Sequence, residues 1–327
     1  MKVLLVSVHF HSSFGWSIEQ ALKRLGHEVR VFDYRNPPIG VPGKVKLLWA
    51  RTVMPRELAA AGRKFRPDLI FLAKAETVPA ETIRGLRGEL RCPVVNWFPD
   101  ARLFASRNVV EQMPHLDFIF SKNIQDVNRT RLIGIRNARF LPHCADRELH
   151  VDYETTEEDL KPHRCQVAMV GSYYRYRELM LEHLSDFNLR IWGGGWERSA
   201  LARTKPECIS GREARSLVQT QVFRAAAVNV NPHHFDDTEG LNQRVFDIGG
   251  AGGCQLMDGP RDAKPVFDVP DDLAVFQSAE ELREKTGFLI GHPQTCRDMG
   301  ERCRRKVAAG HTYDHRVREI LDLMRLA

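Results

Sequence analysis

The chain has 327 residues, 43% hydrophobic and 28% charged, with a net charge of +6. That length suits two ordinary domains, and the composition is that of a folded soluble chain. No apolar run approaches the ~20 residues that span a bilayer, and the modest positive charge favours anionic ligands such as nucleotide diphosphates over nucleic acid.

Residues 3–8 are a continuous apolar run, as a parallel strand buried on both faces requires. An amphipathic helix follows where a signal peptide would carry a cleavage site, so the run is read as a first strand. The loop between them, His9 to Trp16, contains only Gly15. A dinucleotide-binding strand would run into Gly-x-Gly-x-x-Gly, so NAD or FAD is not expected there. Ile18, Ala21, Leu22 and Leu25 recur at helical spacing, and Gly26 ends that helix. Glu28–Phe32 reads as a strand, and Asn36–Gly43 as a turn-rich break. Lys44–Arg66 is basic and amphipathic, with Trp49 on its apolar side and Pro55 interrupting it. A crossover helix on the sheet is the plainer reading, and peripheral contact with an anionic membrane face is the other.

Strands at Asp68–Ala73, Pro93–Trp97, Asp117–Ser121 and Ala138–Pro142 alternate with helices at Pro79–Leu90 and Asn123–Leu132. That alternation predicts a parallel sheet with right-handed crossovers. Residues 148–163 turn polar and acidic and are read as a linker between a domain at 1–147 and another at 164–310. The pattern restarts with strands Cys165–Gly171, Leu189–Trp192 and Ala227–Asn231, and helices at 176–184 and 212–224. Helices at 278–289 and 296–309 follow. The last segment, 311–327, is expected as a helix packing back on the first domain. The seven scattered cysteines form no Cys-x-x-Cys pair. This argues for free thiols in a reducing, cytoplasmic setting and against a disulfide framework or structural zinc.

The stretch Glu239-Gly-Leu-Asn-Gln-Arg-Val-Phe-Asp247, followed by Gly249, Gly250, Gly252 and Gly253, organises the second half. A short helix with Val245, Phe246 and Ile248 inward is predicted, stopped by the glycines before a buried strand at Cys254–Met257. Free amides at its start, near Gly240, Leu241 and Asn242, attract anions, and Arg244 adds a cation there. Asn231-Pro-His233-His ends a strand, where open α/β sheets bind ligands. The paired histidines suit phosphate or sugar better than a metal, for which no third ligand is evident. Trp192-Gly-Gly194-Gly-Trp196 lets backbone approach a ligand, with the tryptophans free to stack on a base, or is a wide turn. In the first half, His9, His11, Glu76 and Asp100 lie at strand ends. They are general-base candidates, or simple turn formers and caps.

Glu239, Asp247 and Gly252 fall where group 1 glycosyltransferases carry an acid, a second acid and a glycine. His311-Thr-Tyr-Asp-His-Arg-Val-Arg-Glu-Ile-Leu, Asp68–Glu76 and Leu141–His150 resemble the CgeB-like (spore maturation protein) branch. One departure is Asp247, a methylene shorter than the glutamate of that pattern. The resemblance implies a GT-B fold, an α/β architecture of two Rossmann-like domains with parallel sheets facing across a cleft. It implies a cytoplasmic, metal-independent, retaining glycosyltransferase with no cofactor, using a UDP-, GDP- or dTDP-sugar. Gly171, Ser172 and Arg175 would hold the donor diphosphate with Arg244, with Gly15 facing the same phosphates. Asp247 would read the ribose and Glu239 the transferred sugar, and the first domain would take a glycan, protein or lipid acceptor. A GT-B epimerase or phosphorylase is the rival enzyme. A pyridoxal-dependent phosphorylase needs a Schiff-base lysine, and Lys161 and Lys205 sit in polar loops. A non-catalytic nucleotide-sugar binder is the rival outside catalysis.

Overall fold

The computed structural model describes residues 1–35, 43–237, 239–259 and 261–326. The chain divides into two compact units, residues 1–142 with 314–327, and residues 143–313. The turn expected at Asn36–Gly43 lies, up to residue 42, outside the described residues.

Unit 1 is a six-stranded, wholly parallel sheet. Its strands are β1 (Lys2–Ser7), β2 (Glu28–Asp33), β3 (Leu69–Ala73), β4 (Val94–Phe98), β5 (Phe118–Ser121) and β6 (Ala138–Phe140), in the order β2-β1-β3-β4-β5-β6. Every residue of β3, β4 and β5 is buried, because crossover helices cover both faces. Those helices are α1 (Phe14–Arg24), α2 (Gly43–Thr52), α3 (Met54–Phe65), α4 (Ala80–Leu90), α5 (Arg107–Gln112) and α6 (Ile124–Leu132). Pro55 stands in the first turn of α3, where its missing N–H is harmless, so the basic segment is two helices rather than one. Trp49, Met54, Leu58 and Phe65 share a core with Leu4 and Val6 of β1. These four side chains face the sheet, as a crossover helix requires, whereas Leu48 and Val53 are exposed.

Unit 2 is a five-stranded parallel sheet in the order β11-β10-β9-β7-β8. The strands are β7 (Cys165–Val170), β8 (Leu189–Trp192), β9 (Ala226–Asn231), β10 (Gln255–Asp258) and β11 (Ala274–Phe276). Around them lie α7 (Glu157–Leu160), α8 (Arg175–Glu182), α9 (Ala200–Thr204), α10 (Leu217–Ala225), α11 (Gln243–Ala251), α12 (Ala279–Gly291) and α13 (Pro293–Gly310). Residues 148–163, expected as a linker, are folded within unit 2. They hold most of a π-helical turn at Arg147–Val151 and the capping box of Thr156 and Asp159 that starts α7. Strand β11, three residues at the sheet edge, is too short to show a period. Helix α10 starts at Leu217 rather than Arg212, after Ser216 turns left-handed at φ 55°.

The glycines after Ile248 do not stop α11 where expected. Gly249 and Gly250 lie inside the helix, and only Gly252, at φ 80°, caps it. Both interior glycines are close-approach positions. A Cβ on Gly249 would lie 2.6 Å from Cys303 Sγ of α13, and one on Gly250 would lie 3.0 Å from the Ala145 Cβ and 3.3 Å from that of His150. The last helix, α14 (Tyr313–Leu326), brings Asp314 to Arg24 of α1, with Arg24 Nε donating to Oδ1 at 2.8 Å. Arg316 Nε donates to the Pro142 carbonyl at 3.0 Å, fixing α14 on unit 1.

Candidate functional site

Each sheet reverses its strand order once, between β1 and β3 in unit 1 and between β7 and β9 in unit 2. Ligands of open parallel sheets bind beyond the strand C-termini at such a point.

In unit 2 this edge is built around Asn231, the fully buried last residue of β9. Its Nδ2 donates to Gln255 Oε1 at 2.9 Å and to Asn242 Oδ1 at 3.3 Å. Its Oδ1 accepts from Asn242 Nδ2 at 3.1 Å and from Arg244 Nη1 at 2.6 Å. Asn242 in turn caps α11, accepting the Val245 N–H at 3.2 Å. One buried amide at a strand end thus sets both the helix start and the arginine beside it.

Strand β7 runs directly into Gly171, at φ 151°. A Cβ there would lie 2.7 Å from Arg244 Nη2 and 3.2 Å from Arg177 Nη1, so two guanidiniums converge on this glycine. Arg177 is anchored by donating from Nη1 to the Ser172 carbonyl (2.8 Å) and from Nε to the Pro232 carbonyl (3.2 Å), and it lies over the Tyr174 ring. Burial, then the neighbouring Arg177, pull the Arg244 guanidinium down to about 9, which leaves it a cation at neutral pH. Two like charges beside a helix start are an unfavourable pair until an anion joins them. Asp258, at the end of β10, contributes to the field at both arginines. It also accepts from the His233 backbone N–H (2.9 Å) and Nδ1 (2.5 Å), while the buried Nε2 of His233 has no hydrogen-bond partner among the described residues.

Arg175 is directed elsewhere. It pairs with Glu178 at 2.5 Å and Glu182 at 3.4 Å, and most of its side chain is exposed. The buried guanidinium of this turn is Arg177. A signal for it was present in the sequence, because Arg177 stands four residues before the buried Leu181 and shares its inward face. Ser172 is exposed and contributes its carbonyl.

The glycines after β8 serve backbone packing. A Cβ on Gly193 would overlap the Gly171 carbonyl, Tyr173 N–H donates to the Gly194 carbonyl (2.9 Å), and Trp196 Nε1 donates to the Gly171 carbonyl (2.8 Å). A Cβ on Gly194 would sit 3.0 Å from Glu213 Oε1. The two tryptophans are 3% and 0% exposed and lie in the core, so the expectation that they stack on a base is corrected: neither offers a free face.

Glu239 is half-buried three residues before the cap, and its carbonyl accepts the Asp262 N–H at 3.0 Å. Gly240 is buried, and Leu241 packs with Val245 and Phe246.

Asp247, expected at a ribose, points into the protein. It is 4% exposed, with Oδ1 3.4 Å from His150 Nε2. Thr220 donates to the Leu149 carbonyl (2.7 Å), so His150 Nδ1–H donates to Thr220 Oγ1 (2.7 Å) and Nε2 is left as an acceptor. Burial pushes the Asp247 carboxyl well up and the His150 imidazole down to about 3. The His150 imidazole is therefore neutral at neutral pH, and burial favours the protonated form of the Asp247 carboxyl that faces it. Asp247→Ala is expected to lose about 1–3 kcal/mol of stability by leaving the polar surroundings of a buried side chain unmatched, and Asp247→Asn, neutral and of the same shape, to recover most of it. Urea denaturation checks this. The His150 shift gives a sign for pH. A depressed imidazole contributes stability that is full above the ordinary histidine value of about 6.5 and falls by up to ~1.4 kcal/mol per pH unit between there and pH ~3. Asp247 acts in the opposite sense, its contribution falling as pH rises above the ordinary carboxylate value.

In unit 1, His9 Nε2 meets Glu19 at 2.7 Å, and its backbone N–H donates to Asp33 at 3.2 Å. His11 is exposed, its ring 4.8 Å from that of Trp16. Gly15, in the first turn of α1, is required by packing, since a Cβ there would overlap Ser7 of β1. Beyond β3, Lys74 and Ala75 are both left-handed, at φ 71° and 52°. Such residues cost on the order of 1–3 kcal/mol each and persist only where their surroundings over-determine them. The surroundings here are two fully buried amides. Asn96 donates to the Lys74 carbonyl (3.2 Å), and Gln112 donates to those of Ala75 (3.0 Å) and Val78 (2.7 Å). The turn holds Lys74 in ion pairs with Asp100 and Glu76, while Tyr34 Oη donates to Glu76 at 2.7 Å and Arg35 pairs with the same carboxylate. Asp100, Glu76 and Lys74 thus form one polar cluster, whereas His9 belongs to a second cluster with Glu19 and Asp33.

Among the described residues no group of three or more His, Cys, Asp or Glu side chains is arranged to hold a metal ion, and no helix is long and apolar enough to cross a membrane.

Residues 175–322 match the family model described as glycosyl transferase-like, a span that contains Arg177, Glu239, Arg244 and Asp247. No curated protein matches the sequence. Among solved structures, the sucrose-phosphate synthase of Thermosynechococcus elongatus superposes with a TM-score of 0.74 at 14% identity, over 99% of this chain and 98% of that one. Anabaena HepE in complex with UDP-glucose superposes at 0.69 and 10% identity over 100% of both chains. A glycosyltransferase from Rickettsia africae superposes at 0.70 and 11% identity, covering 98% and 97%. The chain thus has the GT-B fold along its whole length, and its segment 175–322, which carries the converging arginines, is glycosyl transferase-like.

Proposed function

We propose that the protein transfers a sugar from a nucleoside-diphosphate donor to a hydroxyl acceptor, and that unit 2 holds the donor. The observation that carries this reading is the convergence of Arg177 and Arg244 on Gly171 at the start of α11. Planar guanidiniums, open backbone at a glycine and a helix N-terminus together suit a diphosphate. The UDP-glucose complex of the structural neighbour HepE supports a UDP-type donor, with GDP- and dTDP-sugars the other candidates. Glu239, just before the cap, is assigned to the transferred sugar. His233, oriented through Asp258, presents Nε2 as a further polar contact.

Transfer is proposed to be retaining, with a phosphate oxygen of the departing diphosphate taking the acceptor proton. The two cations supply the charge compensation that a divalent ion supplies at other diphosphate sites. Turnover is accordingly expected to be unchanged by EDTA, and a dependence on added magnesium or manganese would count against this assignment. The acceptor, a glycan, protein or lipid, is assigned to unit 1, beside the Lys74, Glu76 and Asp100 cluster. The CgeB-like branch is proposed on the resemblances at 68–76, 141–150 and 311–321, and a cytoplasmic setting on the free thiols.

A thermal-shift screen over UDP, GDP, dTDP and their sugars tests the donor. A ligand at a hundred times its Kd adds about 2.7 kcal/mol to the stability of the native state. One nucleoside diphosphate should raise Tm well above its parent nucleoside. A flat response to all three diphosphates would reject the reading.

A further inference from the structure

At the end of the unit 2 sheet opposite the donor edge lies a cavity of about 180 Å³. Its lining includes Ala226 and Ala227 at the start of β9, Cys254 just before β10, and Leu289, Cys296 and Arg297 from α12 and α13. Of the seven free cysteines, all buried, Cys254 and Cys296 open on this cavity, and Cys92, Cys144, Cys165, Cys208 and Cys303 do not line it. The two thiols are close enough that each is the largest influence on the other's ionisation. Cys254 Sγ lies 3.9 Å from Met299 Sδ, and the Cys296 S–H donates to the Leu289 carbonyl at 3.2 Å.

The pair is asymmetric. Cys296 is the fourth residue of the 18-residue helix α13, next to Arg297. A helix start and a neighbouring cation both favour a thiolate. Cys254 beside it, with Arg297 adding to the effect against burial, holds the Cys296 thiol below its ordinary range. The neighbouring Cys296 and burial push the Cys254 thiol up. One sulfur is thus poised to attack, and the other to resolve what forms.

We infer that Cys254 and Cys296 are a redox-active thiol pair, oxidised by hydrogen peroxide to a reversible disulfide on the wall of this cavity. Cys296 gives up the proton it donates to the Leu289 carbonyl and, as thiolate, attacks one peroxide oxygen. The O–O bond breaks, and the departing hydroxide takes a proton to leave as water. The resulting sulfenic acid is attacked by Cys254, the S–S bond forms, the S–O bond breaks, and the second hydroxide leaves with the Cys254 proton. Two thiols and one peroxide give one disulfide and two waters.

Peptide mapping of the full-length protein tests this without reference to its activity. The native protein is treated with hydrogen peroxide, alkylated and digested with trypsin without reduction. The expected product joins the peptide Val245–Arg261 to Thr286–Arg297, disappears on adding dithiothreitol, and accounts for two of the seven thiols. Cys254→Ser should halt at a sulfenic acid on Cys296 that dimedone traps, and Cys296→Ser should leave Cys254 open to alkylation after denaturation. The inference is overturned if peroxide leaves both native thiols free for alkylation, if Cys296 proceeds to sulfinic acid with no cross-link, or if either cysteine is found joined to a different one. The native protein alone carries these outcomes, so an unstable serine variant would not obscure them.

Discussion

Glu239→Gln is expected to bind free nucleoside diphosphate as the native protein does and to lose turnover of the nucleotide sugar by on the order of a hundredfold. Free diphosphate lacks the transferred sugar, which is the part assigned to Glu239. A carboxylate accepting sugar hydroxyls and facing the positive charge that develops at the anomeric carbon acts mainly in the transition state. Glutamine keeps the shape and removes the charge. The alternative role is purely structural, because Glu239 lies in the turn whose carbonyl accepts from Asp262. A structural role would show as lowered Tm with normal turnover, so paired melting and rate measurements separate the two.

Arg244→Ala is expected to weaken nucleoside diphosphate binding by about ten- to a hundredfold, the range for a lost hydrogen bond to a charged group, about 1.5–3 kcal/mol. The nucleoside itself should bind as before, since the proposed partner is phosphate. Arg177 would remain, held by the carbonyls of Ser172 and Pro232, so residual affinity is expected. Asn231 would lose a partner but keep Asn242 and Gln255, which limits collateral damage to the helix cap. Isothermal titration with diphosphate and nucleoside gives both numbers. Equal losses for the two ligands would make Arg244 a structural residue.

Much of the fold was legible because parallel strands covered on both faces must be continuously apolar. Leu69–Ala73 is wholly apolar, and Val94–Phe98 departs from that only at Asn96, which is buried as well. The strand at Cys165–Val170 was legible for the same reason, and the helix at Gln243–Ala251 from the spacing of Val245, Phe246 and Ile248. What escaped depended on partners distant in the chain. Gly249 and Gly250 read as helix breakers, yet they are helical because Cys303 and His150 leave no room for a side chain. Asp247 reads as a ligand-facing acid beside the helix start, but its direction is set by His150, 97 residues earlier. The tryptophans around Gly193–Gly195 read as a stacking platform because nothing local shows that the loop after β7 lies across them. The left-handed pair at Lys74 and Ala75 has no glycine to announce it, and it exists only because Asn96 and Gln112 hold its carbonyls.

The most direct test is to follow a nucleotide sugar by phosphorus and proton NMR in the presence of the protein, with water and a mixed glycan pool as acceptors. The expected result is free nucleoside diphosphate, with the sugar released or transferred at its original anomeric configuration, and no such conversion by Glu239→Gln over the same time. An intact nucleotide sugar epimerised at a ring carbon would make the protein an epimerase. A donor that binds and is returned unchanged under every acceptor would make it a nucleotide-sugar binder, and either outcome would contradict glycosyl transfer.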